Sequence, residues 1–484
     1  MYRKKIKRVA DCIIAIGLTV FFLIYFTELL SRKTAYEKYT AFFEEEEDFD
    51  VFFFGTSHVK YGILPMELWN DYGIVSYNFG TNQQYLPTTY WQMENVLEHK
   101  SPQLIVIDCF YLSSSEKISI SLHDTLDVIP FSRTKFNALR DLIGDGESDY
   151  TYREFIWNYY IYHNRWNELT ELDFKQFDTA VKGADYLIGI EIGDEISEIP
   201  EENKFEEDTV SVEYLEKMIE ECQRRGIEVL LVYLPSSTWE DAPMEADRVY
   251  DIAEKYGVNY INFLDLSVIN NKVDYYDNNH VNLAGCRKVT DYLGQYITKH
   301  YDINDQRGNA EYADWNADYA DYRNIVNADL KNYESLDYYM LFLHNKDYLT
   351  FIEINTPEIW DNSYYCDLFE SLGVDQSKIT DDTDLLVIQN AGQQVEYLEK
   401  FPASEQGIET EMGKIQIFTS ESGTYEVCLE NSELYTMTAE QDQDSDVQIV
   451  IVDKITREVI NQSCFCKRED AEKQEAIRIY MKAD

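Results

Sequence analysis

The run Asp50-Val51-Phe52-Phe53-Phe54-Gly55-Thr56-Ser57-His58, answered about two hundred residues later by Asp277-Asn278-Asn279-His280, holds the residue types that could do chemistry. A buried strand running into a Gly-x-Ser turn sets a hydroxyl at the carboxyl end of a sheet, where open α/β folds bind their ligands. A serine needs a base to take its proton and a third group to orient that base. Asp-x-x-His supplies both within one short turn. Of the seven histidines (His58, His99, His123, His163, His280, His300 and His344), only His280 has an acidic residue three positions before it. Asp277 can therefore hold the Nδ1-H tautomer and leave Nε2 free for Ser57. Side chains adjacent in sequence after a strand usually diverge, so His58 reads as a local or substrate-facing group.

With Gly55-Thr56-Ser57 as a first block and Asp277-Asn278-Asn279-His280 as a last, the chain resembles the SGNH (GDSL-like) hydrolase superfamily over roughly residues 49–301. The closer likeness is to its membrane-anchored branch, which includes polysaccharide O-acetyltransferases and the D-alanine transfer protein of teichoic acid synthesis. The resemblance implies catalytic roles for Ser57, His280 and Asp277. It also implies that Gly80, in Asn78-Phe79-Gly80-Thr81-Asn82, gives its N–H to an oxyanion hole. The superfamily's third block, Gly-x-Asn-Asp, is missing: the next strand reads Leu104-Ile105-Val106-Ile107-Asp108-Cys109-Phe110-Tyr111. Asn82 is the substitute for its asparagine, with Gln83 behind it.

The elements that must position these residues follow from the patterning. From Asp50 onward apolar runs alternate with amphipathic stretches. The strands fall near residues 51–54, 75–79, 104–110, 227–234 and 258–263, and helices near 65–72, 87–98, 210–225, 242–256 and 283–298. This predicts an α/β fold, a parallel five-stranded sheet with helices on both faces. Ser57 then follows the first strand and His280 precedes the last helix, on loops that should meet.

Between the third and fourth strands lies an insertion, 113–207, whose run from Tyr150 to Trp166 is unusually aromatic. Trp157 and Trp166 suit stacking on sugar faces or contact with a membrane interface, whereas helical spacing favours packing on the domain. Residues 302–335 read as a linker or exposed helix. Beyond them, short alternating strands and one helix near 359–372 predict a second, smaller α+β domain over 336–484. Its order of strands is similar to the interleukin-like EMT inducer domain, which implies a binding module without catalytic residues.

The N-terminus is a different object. Arg3, Lys4, Lys5, Lys7 and Arg8 precede an uncharged stretch from Cys12 to Thr27 that continues to Leu30. No small-x-small cleavage site follows, so residues 1–30 read as a cytoplasmic basic tail and retained transmembrane signal anchor, with everything after them extracytoplasmic. Residues 31–48, with the run Glu44-Glu45-Glu46-Glu47, read as a solvated stalk.

Composition narrows the partners. With 90 Asp and Glu against 42 Lys and Arg, the formal charge of -48 excludes a nucleic-acid backbone as partner. No Cys/His spacing suits zinc and no metal or other cofactor is expected. Eight dilute cysteines leave the redox state open.

The expected chemistry is an acyl-serine intermediate. Resolved by a sugar hydroxyl it is an acyltransferase acting on a cell-surface polysaccharide, its donor passed through the bilayer by a polytopic membrane acyltransferase. Resolved by water it is a carbohydrate esterase. A third reading is a non-catalytic glycan-binding or assembly scaffold.

Overall fold

Strand β1 (Val51–Phe54) has side chains buried on both faces, as a central strand of a covered parallel sheet must. It pairs in parallel with β2 (Ser76–Asn78) on one side and β3 (Leu104–Asp108) on the other. Strands β4 (Glu228–Tyr233) and β5 (Asn259–Asn262) continue the sheet in the order β2-β1-β3-β4-β5. The order reverses direction at β1, so the loops leaving β1, β2 and β3 converge at one switch point, where open sheets place their ligands. The structure, a computed structural model, describes residues 2–31, 34–144, 149–157, 159–174, 181–193, 208–237, 241–355, 359–360, 362–380, 383–399, 405–419, 425–430, 432–437, 445–467 and 476–482.

The crossover helices stop where their sequences say they should. Pro65–Tyr72, Val210–Arg225 and Ala242–Tyr256 each end on a glycine in the left-handed region: Gly73, Gly226 and Gly257. Thr209 caps the second of these by accepting from the Val212 amide. One face of the sheet buries Phe52, Phe54, Ile105, Ile107 and Leu231, and the other buries Val51, Phe53, Val106, Leu230 and Val232.

The first helix runs Tyr2–Ser31, and its stretch Ala10–Ser31 is long and apolar enough to cross a membrane. Its 22 residues rise about 33 Å, which matches a hydrocarbon core of about 30 Å.

Two segments differ from the sequence expectation. The stalk is not a free spacer: Thr34–Glu44 is a helix that buries Tyr39 and Phe42 on the sheet domain. Phe42 meets Phe49, Phe52, Tyr77 and Phe79 at ring separations of 4.9 to 5.7 Å. The glutamate run drew the reading toward solvent, but Glu45 pairs with the fully buried ammonium of Lys182, which also pairs with Asp318. The second segment, 302–335, takes the helical alternative rather than the linker, and its helix is buried along one face. The helix Ala313–Leu330 buries Trp315, Tyr319, Tyr322, Val326 and Leu330, a stripe of spacing three and four whose tyrosines disguise its apolar face.

The C-terminal part is two antiparallel sheets face to face. One runs Ala476–Lys482, Glu458–Lys467, Val447–Asp453, Tyr348–Ile354, Thr383–Gln389, Gln394–Glu399; the other runs Ser432–Met437, Tyr425–Leu429, Gly413–Thr419, Glu405–Thr410. Phe351, Val387 and Val450 meet Ile415, Ile417 and Val427 between them. The other face of the larger sheet joins the parallel-sheet half through the helices Ala313–Leu330 and Leu336–Phe342. Arg287 donates to the Phe342 carbonyl at 3.0 Å across the same packing, and a buried ion pair joins Arg323 to Asp453 of the larger sheet.

Candidate active site

Gly55 ends β1 because its backbone lies against β3: a Cβ there would stand 2.6 Å from the Asp108 Cβ. The chain then turns into a short helix, Ser57–Gly62, capped by Thr56. Ser57 holds its first position, so the Ser57 amide has no carbonyl partner inside that helix. Asn78, fully buried at the end of β2, fastens the helix by donating to the carbonyls of Val59 (2.7 Å) and Ile63 (2.9 Å).

The second loop is built as tightly. The Tyr275–Val281 bridge closes a turn that contains Asp277 to His280, and the Tyr276 amide donates to the His280 carbonyl at 2.8 Å. Ser237, beyond β4, donates from both its amide (3.1 Å) and its hydroxyl (2.7 Å) to the carbonyl of Asn278. Asn282 caps the helix Leu283–His300 and donates through Nδ2 to Val273 and Gly189.

These supports bring the two loops together. His280 Nε2 lies 2.7 Å from Ser57 Oγ, and His280 Nδ1 lies 2.9 and 3.0 Å from the two carboxylate oxygens of Asp277. Asp277 also accepts the amides of Asn279 and His280, both at 2.8 Å. Burial pushes its carboxyl up, but the imidazole and the two amides outweigh that and hold it below the usual range. Ionised Asp277 can only accept, so His280 Nδ1 is the donor and Nε2 faces the serine as an acceptor. Ser57 is buried, whereas His280 and Asp277 stand at a half-open mouth, with the Tyr61 ring edge-on to His280 at 5.7 Å.

The other expected site residues are placed differently. The Gly80 N–H, expected at an oxyanion hole, is already donated to Asn78 Oδ1 at 2.9 Å. Gly80 is glycine for packing: a Cβ there would lie 2.2 Å from the Lys60 amide of the helix that begins at Ser57. Asn82 is exposed and borders a cavity of about 230 Å³ with Gly80, Thr81 and Lys60. Gln83 lines a larger cleft of about 750 Å³, together with Tyr85, Tyr111 and Tyr150. Trp157 and Trp166 are exposed and stand away from that cleft's lining. Their segment packs against the apolar first helix, where Arg165 donates to the Leu30 carbonyl at 3.1 Å.

His58 is buried, with its ring 5.3 Å from that of His280 and 4.1 Å from that of Phe110. Burial first, then the neighbouring His280, push its imidazole down to about 3. Asp108 is the residue sequence reading passed over: a carboxylate closing an otherwise apolar strand, a signal in itself. Its carboxyl, raised by burial to about 7, accepts from Thr56 Oγ1 at 3.1 Å. Among the described residues, no group of three His, Cys, Asp or Glu side chains is arranged to hold a metal.

No family model matches the chain, and no curated protein matches it. Solved structures similar to it include a protein described as lipolytic, of the G-D-S-L family, from Desulfitobacterium hafniense DCB-2. That match has a TM-score of 0.28 and 10% identity, over 51% of this chain and 99% of that one. A protein described as a platelet activating factor from Streptococcus pneumonia matches at 0.28 and 13%, over 59% and 98%. A gut microbial diltiazem-metabolizing enzyme matches at 0.20 and 14%, over 53% and 47%.

Proposed function

We propose that this chain is a membrane-anchored serine acyltransferase that O-acylates a glycan at the cell surface through an acyl-Ser57 intermediate. The observation that carries the reading is the continuous hydrogen-bond series Ser57 Oγ, His280, Asp277, at distances of 2.7 to 3.0 Å. In it, His280 Nε2 takes the serine proton as Oγ bonds to the carbonyl carbon of an acyl donor. The tetrahedral oxyanion is met by the Ser57 amide and by the side chain of Asn82. The C–O bond to the leaving group breaks, and His280 returns the proton to it. A sugar hydroxyl then gives its proton to His280 and attacks the acyl carbon, and His280 returns that proton to Ser57 Oγ as the bond between Oγ and the acyl carbon breaks.

Support for a glycan comes from the cleft beside Gln83. Tyrosine rings with polar edges suit sugar faces, and the lining carries Glu116 and Asp149 against a single Lys117. Support for the anchored, extracytoplasmic setting comes from the apolar span Ala10–Ser31, the basic cluster before it, and the exposed Trp157, Tyr160 and Trp166 beside it, a composition suited to an interface. The donor would reach Ser57 from an integral membrane acyltransferase.

One observation favours a second reading. His280 and Asp277 are partly exposed, with side chains 21% and 39% accessible, so water can reach an acyl-serine and the same site would act as a carbohydrate esterase. The test is to treat the full chain in detergent with a fluorophosphonate and weigh its peptides. An adduct on Ser57 is expected, and an unmodified Ser57 in folded protein would leave only a non-catalytic scaffold. An activated acetyl ester, supplied with and without oligosaccharide, then partitions the acyl group between sugar and water.

A further inference from the structure

Thr56 and His58 flank the nucleophile, and both turn inward to a second buried series. Thr56 Oγ1 lies 2.9 Å from His58 Nδ1 and 3.1 Å from Asp108 Oδ2, and it accepts the His58 amide at 3.2 Å. All three side chains are at least nine-tenths buried. A hydroxyl has one proton and two lone pairs, and one lone pair is taken by that amide. The remaining proton and lone pair must serve Asp108 and His58 Nδ1 in opposite senses. With Asp108 ionised, Thr56 donates to it and His58 must carry its proton on Nδ1. With a proton on Asp108 Oδ2, that acid donates to Thr56, Thr56 donates to Nδ1, and the His58 proton resides on Nε2.

We propose that Asp108, Thr56 and His58 form a positioning network for His280, in which the proton on Asp108 sets the tautomer of His58 and thereby the charge His280 can carry. The coupling is geometric: the two imidazole rings lie 5.3 Å apart and 27° from parallel. Reversing the dipole of one ring changes the field on the other in a site with little water. The proposal rests on the acyl-serine reading, since it assigns a role relative to His280 as base.

The surroundings let Asp108 be the switch. The raised carboxyl titrates near neutrality, while His58 stays uncharged throughout that range. The titratable groups facing Asp108 are the Cys109 thiol and Tyr111 in the chain that leaves its strand, Tyr233 on β4, Tyr260 on β5, and Glu245 on the helix Ala242–Tyr256, the last held by Ser113 and Tyr233. The Leu234 amide faces Asp108 from the end of β4, at 3.4 Å. Those facing His58 are His280 and Asp277. A proton taken up at His58 Nε2 lets Nδ1 hand its own to Thr56 Oγ1 while Thr56 passes its proton to Asp108, so the uptake ends on the carboxylate and leaves no second charge beside His280.

Two measurements test this. In full-length protein with ¹⁵N-labelled histidine, with His58→Gln used to assign the signal, His58 should be the Nδ1-H tautomer at pH 8.5 and the Nε2-H tautomer at pH 5.5. One tautomer at both values overturns the proposal whatever the activity. In kinetics, Asp108→Asn should shift the acidic limb of the kcat/KM profile for an activated ester by half a pH unit or more, about threefold in rate on that limb. Thr56→Val should act likewise, and Thr56→Ser should restore the wild-type profile. Superimposable profiles for wild type and Asp108→Asn overturn the network, whereas failure of Ser57 to label in wild type sinks the acyl-serine reading instead.

Discussion

Lys38 Nζ donates to the Gly80 carbonyl at 2.7 Å, so the helix that follows the apolar N-terminal stretch reaches the loop packed against the helix that begins at Ser57. The Tyr77 hydroxyl returns the contact by donating to the Lys38 carbonyl at 2.6 Å. The segment 34–44 is thus part of the parallel-sheet half rather than a tether to it. Phe42, with no accessible surface, is its apolar anchor. Phe42→Ala should destabilise the protein by about 3–5 kcal/mol in urea unfolding, and a change under about 0.5 kcal/mol, typical of a surface site, would return this segment to the role of spacer.

Lys182 tests the same architecture through charge. Its ammonium is buried between Glu45 of the stalk and Asp318 of the helix Ala313–Leu330, 4.6 Å above the Trp315 ring. Removing it strands two carboxylates. Lys182→Ala should cost about 3–5 kcal/mol, and pairing it with Glu45→Gln and Asp318→Asn should recover much of that loss in a mutant cycle.

For the triad, Ser57→Ala and His280→Ala should each lower kcat by about a million-fold, and Asp277→Asn by less, on the order of ten-thousand-fold. Asn82→Ala should lower kcat by about 10²–10³ while leaving KM nearly fixed, as a donor used only by the oxyanion would. A rise in KM at constant kcat would instead make Asn82 a ground-state contact.

His58 sets a pH dependence of stability. Its folded-state value of about 3 lies below the ordinary 6.5, so the unfolded chain binds the proton more readily. The stabilisation is fully present above pH 6.5 and is lost progressively as pH falls toward 3. His58→Gln cannot take up that proton. Its stability deficit relative to wild type should shrink between pH 7 and pH 4 in thermal melts, and a deficit that holds constant would show that His58 charges freely in the folded state.

The tyrosine cleft makes a binding prediction. Tyr111 carries a left-handed backbone, φ 64°, an uncommon conformation for a bulky residue, and its ring stands edge-on to Tyr85 at 5.1 Å. Tyr111→Ala in a Ser57→Ala background should weaken calorimetric binding of a neutral oligosaccharide by about tenfold or more, whereas Trp166→Ala should not. The reverse pattern would move the sugar to the membrane-facing aromatics.

Local information sufficed where one face or one turn decides the outcome. Three of the five sheet strands follow a helix that ends on glycine, and Asp277 and His280 sit close enough in sequence to pair through a single turn. The spacing of Tyr39 with Phe42, and of Trp315 with Tyr319 and Tyr322, is equally local, yet their polar edges and acidic neighbours hid the apolar stripe. Other features depend on which strands become neighbours. Only the order β2-β1-β3 sets Asp108 against Gly55, aims Asn78 at the nucleophile helix and spends the Gly80 amide on that asparagine. Residue types and short-range spacing settled which groups could exchange a proton. The packing of distant segments decided which amides were left to meet a developing charge, because a buried donor takes the nearest acceptor the fold presents.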